Sequence, residues 1–137
     1  VGSPEDFERC LRSTGADAVM TSEGALENPA LFEGKPTCRA TQWKLAAEYI
    51  ELAQHHPPRC ASVIKAHLFK LLYMGLNVHT ELREKLGEVM EAEKVLEVGH
   101  ATCELEKAEE ARDPESLSTR CDEIGAPFVT WYRRHRH

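Results

Sequence analysis

Apolar positions recur at helical spacing near the start of this chain, shorten to a continuous run, and then return to helical spacing for most of its length. Phe7, Cys10 and Leu11 form a first helical face behind Ser3-Pro4-Glu5-Asp6. There Ser3 caps, Pro4 suits the first helical position and Asp6 completes a capping box. Gly15 stops that helix. Ala16-Asp17-Ala18-Val19-Met20 reads as a short, fully buried parallel strand. Helix, tight turn and buried strand make one αβ unit, which cannot cover both faces of its strand and so needs neighbouring strands. The expectation is therefore a chain cut from a larger sheet, and a first residue of Val1 suggests the same. The small and hydroxylated residues from Thr21 to Phe32 suit a strand-to-helix turn, where phosphate can bind on backbone N–H groups. An ordinary turn has the same composition, and Glu23 repels an anion unless its carboxylate points away.

Glu33-Gly34-Lys35-Pro36 reads as a linker, beyond which the pattern is helical throughout. Trp43, Ala46, Ala47, Ile50 and Ala53 share one face of a helix that ends at His55-His56-Pro57-Pro58. Pro58 then opens a helix reaching Gly75, with Ile64, Leu68, Leu71 and Leu72 inward. A shorter helix is expected over Thr80–Leu86, and a long one from about Ala92 to about Arg112. In the long helix Val95, Leu96, Ala101 or Thr102, Leu105 and Ala108 face inward, and Gly99 marks a break or a close approach. One more short helix is expected around Ser116–Ile124. The fold class is mainly α, with the second part a helical bundle held by apolar seams.

Charge alters this picture only locally. The net charge of −6 argues against a protein that grips nucleic acid with its whole surface. From Glu88 to Glu115, however, acids outnumber Lys and Arg by ten to three, while Pro127–His137 carries three Arg, two His and no acid. The acidic helix reads as a solvated face that repels anions. The five cysteines, Cys10, Cys38, Cys60, Cys103 and Cys121, form no Cys-x-x-Cys pair. Reduced thiols in a cytoplasmic or nuclear setting are expected, with no disulfide framework and no metal site. No apolar run suits a membrane span, and no secretory leader is visible.

Two segments carry a resemblance. Thr14-Gly15-Ala16-Asp17-Ala18-Val19-Met20, with Ser22 to Gly34 after it, resembles the last barrel strand and following turn of tRNA-dihydrouridine synthases, especially the eukaryotic branch acting on D-loop uridines. Lys65-Ala66-His67-Leu68-Phe69-Lys70 and Val78 to Leu86 supply a second match, in the same order and on the expected elements. The resemblance spans roughly the first two-thirds of the chain.

It implies the remnant of the last αβ unit of a TIM barrel over 1–36, a helical tRNA-binding domain over 37–126, and a basic tail over 127–137. The full-length enzyme would use FMN, recharged by NADPH, to reduce uridine in tRNA, and would be a monomer. The family's catalytic cysteine and its phosphate-holding Asn-Gly pair have no match here, so no catalytic residue is expected in this chain. Ser22, Glu23 and Gly24 correspond to the cofactor-proximal turn, where bacterial relatives often carry Gly-Arg. A base inside folded tRNA must be turned out to reach the flavin, so a second surface has to hold the RNA.

Candidates for that surface are Arg59, Val63, His67 and Lys70, a stripe at i, i+4, i+8 and i+11, with Lys65 on another side of the helix. Arg133 and Arg134 in the tail, beside Trp131 and Tyr132, are further candidates. Solvated surface charge and a frayed basic terminus are the bland readings of the same residues. Trp43 and Tyr49 are expected in the core. A non-catalytic RNA-binding or protein-interaction module, or a piece of another phosphate-binding barrel enzyme, are the alternatives to a dihydrouridine synthase.

Overall fold

A computed structural model describes residues 1–118. Its order is α1 (Pro4–Thr14), α2 (Glu23–Glu27), a 3₁₀ turn (Pro29–Glu33), α3 (Arg39–His55), α4 (Ala61–Leu71), α5 (Tyr73–Val78), α6 (Thr80–Glu88), α7 (Ala92–Arg112) and α8 (Pro114–Ser118). Cys121, Trp131, Tyr132, Arg133 and Arg134 lie outside the described residues.

The first helix forms as its sequence dictates. Asp6 accepts the N–H groups of Gly2 (2.8 Å) and Ser3 (3.1 Å). These bonds, led by that from Gly2, hold its carboxyl below the usual carboxylate range. Gly15, at φ 68°, closes the helix by donating to the Leu11 carbonyl.

The following segment departs from expectation. There is no β-strand among the described residues, and Ala16–Ala18 are exposed, with Met20 92% exposed. The physical reason is the one that demanded neighbours: no described segment offers a ladder to pair with. The expected linker, by contrast, is tied down. Asn28 donates through Nδ2 to the Lys35 carbonyl (3.0 Å) and to Thr37 Oγ1 (3.1 Å), and Lys35 N–H donates to the Ala30 carbonyl.

Helices α3 to α8 pack around one apolar core that includes Ala46, Ile50, Ile64, Leu68, Leu72, Leu76, Leu86, Val95 and Val98. α7 lies along α3 and also touches α4, α5, α6 and α8, so it is the axis of the assembly. Gly99 is the close approach its position suggested: a Cβ there would lie 2.8 Å from Leu68 Cδ1 and 3.1 Å from Ile50 Cδ1.

Three other expectations are corrected. Pro58 does not open α4; Cys60 is its N-cap, in extended conformation, and the helix begins at Ala61. The same helix does not run to Gly75 but breaks at Leu72. Buried Gln42 of α3 spans the break, accepting from Met74 N–H (3.1 Å) and donating to the Lys70 carbonyl (3.5 Å). A side chain thus satisfies backbone groups freed where one helix stops and the next starts.

The expected inner face of α7 holds at Val95 and Thr102, with Leu96 partly packed on the core, but fails towards the end of the helix. Val95, Val98, Gly99, Thr102, Cys103 and Glu106 are buried, whereas Leu105 and Ala108 are exposed. α8 occupies Pro114–Ser118, with Leu117 fully buried, and the rest of the helix expected around Ser116–Ile124 lies outside the described residues. The four described cysteines are free. Burial pushes the Cys103 thiol up to about 12, whereas Cys60 is exposed and its bonds with Ser62 lower its pKa.

Candidate nucleic-acid interface

In a chain with 23 acids and 17 Lys and Arg, the stretch from Leu52 to Thr80 contains Arg59, Lys65 and Lys70 and no acid at all. It covers α4 and α5, so the charge carried by this stretch is cationic. On α4, Ile64, Leu68 and Leu71 point into the core. Ser62, Val63 and Ala66 are exposed on the opposite side, with His67 and Lys70 half-buried on its flank. Arg59 lies ahead of the helix, so the expected stripe shortens to Val63, His67 and Lys70, with Arg59 beside its start. Neither Arg59 nor Lys70 has an ion-pair partner among the described residues.

Lys65 is occupied differently. Its ammonium donates to the Gly87 carbonyl and to the Val89 carbonyl (3.0 Å), at the end of α6. A charged donor here satisfies carbonyls that a helix C-terminus leaves without partners. Lys65 therefore clamps α6 to α4, a role its residue type alone did not reveal.

His67 is held rather than free. Tyr49 Oη and His67 Nδ1 lie 2.8 Å apart, and the two rings meet edge to face at 76°, with centroids 5.4 Å apart. Tyr49 packs against the core but directs its hydroxyl at α4.

The helix α7 is not merely a solvated acidic face. Arg39, 7% exposed, donates from Nε to Glu106 Oε2 (3.0 Å), and from Nη2 to Glu106 Oε1 (2.9 Å) and Glu109 Oε2 (2.6 Å). Burial works against the Arg39 charge, but the two carboxylates outweigh it and raise its pKa. The Arg39 hydrogen bond holds the Glu109 carboxyl below its ordinary range. Glu110 accepts from Trp43 Nε1 (2.6 Å) and Lys44 Nζ (2.8 Å). Burial opposes the Glu110 charge, yet these donors bring its pKa down. Ligand atoms of His79, Glu106 and Glu109 lie within 4.8 Å of one another, as a metal site would require. Arg39 already supplies the compensating charge there, so an ion-pair network explains the cluster.

The cofactor-side turn shows a mixed fit. Ser22 is exposed at the start of α2, whose first-turn N–H groups have no partner within the helix. Gly24, however, is buried against the chain itself: a Cβ there would lie 2.8 Å from the Val1 carbonyl oxygen and 3.1 Å from Leu31 Cδ2. Its missing side chain makes room for Val1 and Leu31. No Lys, Arg or His occurs from Ala16 to Gly34 to offset a phosphate. Donors for a peripheral phosphate contact are present at Ser22, but a complete cradle is not.

A family model described as "Dihydrouridine synthase (Dus)" matches residues 1–113. The chain belongs to the dihydrouridine synthase family. It is 46% identical over 98 residues to a mouse protein named tRNA-dihydrouridine(16/17) synthase [NAD(P)(+)]-like, covering 71% of this chain and 20% of that protein. A tRNA-dihydrouridine(16/17) synthase [NAD(P)(+)] of Schizosaccharomyces pombe is 29% identical over 151 residues, covering 94% of this chain and 36% of that protein. The one from Saccharomyces cerevisiae is 37% identical over 91 residues, with 61% and 22% covered. The chain thus spans about a fifth to a third of the length of these relatives. No solved structure matches. No helix among the described residues is long and apolar enough to cross a membrane. As in the sequence reading, this family member is of eukaryotic type and mainly helical.

Proposed function

We propose that this chain serves a flavin-dependent tRNA-dihydrouridine synthase as its tRNA-docking part, with the outer side of α4 meeting RNA phosphates. The observation carrying the proposal is the acid-free stretch from Leu52 to Thr80, which leaves Arg59 and Lys70 unpaired among the described residues of an otherwise acidic chain. Phosphate contacts supply most of the sequence-independent affinity for nucleic acid, and Lys and Arg are their usual source. Residues 37–126 are the docking domain, whose described part packs as a helical bundle around α7. Residues 1–36 contribute the last αβ unit of a TIM barrel, with 127–137, including Arg133 and Arg134, as a basic tail. The exposure of Ala16–Ala18 and Met20 supports a strand whose partners belong to that barrel.

FMN, when bound, would supply hydride to the uridine base, with NADPH as the source of electrons. Of this chain, Ser22 would approach the phosphate end, with Glu23 and the backbone of Gly24 beside it. The assembly acts as a monomer in the cytoplasm or nucleus. The exposed acids of α7 stay away from RNA because they repel phosphate.

The test is salt-dependent binding of an unmodified tRNA transcript. His67→Ala/Lys70→Ala should weaken binding and flatten the log–log salt dependence by roughly one to two units. Lys65→Met should lower stability by roughly 1–3 kcal/mol, the worth of hydrogen bonds to a charged group, while leaving that slope unchanged. A double variant with the wild-type slope would remove α4 from the interface.

A further inference from the structure

We infer that Tyr49 is a positioning residue for RNA docking: its hydroxyl holds His67 Nδ1 so that Nε2 keeps a proton and faces the RNA as a hydrogen-bond donor. The inference rests on the reading of α4 as the docking surface and adds to it the residue that orients its histidine. Tyr49 and His67 come from different helices, α3 and α4, 18 positions apart in the chain, and meet at 2.8 Å. The edge-to-face ring contact limits rotation of both side chains.

The chemistry of the pair limits what His67 can present to three states. A neutral imidazole carries one proton, and the nitrogen that accepts a hydrogen bond is the one without it. If the phenol donates to Nδ1, the proton sits on Nε2. If the imidazole gains a second proton, Nδ1–H donates to the phenol oxygen and Nε2 still carries its own. Nε2 is a donor in both of these states; in the remaining one, a neutral ring whose Nδ1–H donates to the phenol oxygen, Nε2 accepts and is unsuited to a phosphate oxygen or a base carbonyl. Burial raises the Tyr49 pKa, so the phenol keeps the proton it donates. The bond to Tyr49 runs through Nδ1, and His67 is half-buried rather than sealed, so the residue reaches the surface of α4 in part.

Two measurements on the 137-residue chain test this. Long-range nitrogen–proton NMR reads the tautomer of neutral His67 directly; the Nε2–H form is expected in the wild type, with a mixture in Tyr49→Phe. Affinity for an unmodified tRNA transcript is then compared in a cycle of Tyr49→Phe and His67→Ala. Tyr49→Phe alone should weaken binding about three- to tenfold, the worth of one hydrogen bond, and should have no further effect once His67 is alanine. A wild-type Nδ1–H tautomer, or an equal loss from Tyr49→Phe in both backgrounds, overturns the positioning role while leaving α4 as the interface. Full affinity in His67→Ala removes His67 from the interface and the inference with it.

Discussion

Replacing Arg39 by Met should destabilise the chain by roughly 3–5 kcal/mol, because Glu106, 1% exposed, would be left as a buried charge without its cation. The cost comes from stranding the partner rather than from the strength of the pair. Removing both charges, as Arg39→Met/Glu106→Gln, should therefore recover a substantial part of the loss in denaturant unfolding. His79 sharpens the expectation. Its Nε2 lies 3.1 Å from Glu106 Oε1 without hydrogen-bond geometry, so it cannot simply take over from Arg39. Acid should act on the same network. The Glu109 carboxyl titrates below its ordinary value in the folded chain, so its contribution is complete above the unfolded-state carboxylate pKa and disappears as pH falls through the lowered folded value. Arg39→Met should flatten this acid limb of the stability profile. A mutant as stable as wild type, with the same acid limb, would show that the network contributes little.

Leu68→Ala should cost roughly 2–5 kcal/mol, since the side chain is fully buried among α3, α4 and α7. Gly99→Ala should cost roughly 1–3 kcal/mol by overpacking, because the added carbon meets Leu68 Cδ1 and Ile50 Cδ1. These are two sides of one contact: the first opens the space that the second needs. The double variant should therefore be more stable than the sum of the two losses predicts, by roughly 0.5–3 kcal/mol of coupling. Strict additivity in urea titrations would mean that α7 shifts away from α4 instead of pressing on Leu68.

Much of this architecture was legible where one residue dictates one local outcome. Ser3, Pro4 and Asp6 start α1, Gly15 ends it, and the bounds of α7 follow from its pattern. Gly99 was legible as a close approach because a glycine inside a long helix needs a reason. What failed depended on partners distant in the chain. The α4–α5 break at Leu72 is stabilised by Gln42, about which the local pattern Leu71-Leu72-Tyr73 says nothing. Near the end of α7 the buried position is Glu106 rather than Leu105, with Arg39, 67 positions away, compensating the buried carboxylate. Among ten acids, nothing local distinguishes the one that will be buried. At the candidate interface, His67 and Lys70 were visible from charge and spacing. The use of Lys65 as a clamp and of Tyr49 as an orienting group was not, because both depend on which helix lies alongside. A signal was nevertheless available: the interval without any Asp or Glu from Leu52 to Thr80 marks the cationic stretch without any structure.

The contrast between Cys60 and Cys103 gives the described part of the chain a built-in handle. Cys103 and Cys38 are buried, and burial raises the pKa of the Cys103 thiol to about 12, which disfavours its reactive thiolate. Cys60 is open to solvent, acidified by its neighbours, and placed where α4 begins. Of these three, a maleimide dye under mild conditions should choose Cys60, placing a fluorescent reporter at the edge of the surface proposed to meet tRNA.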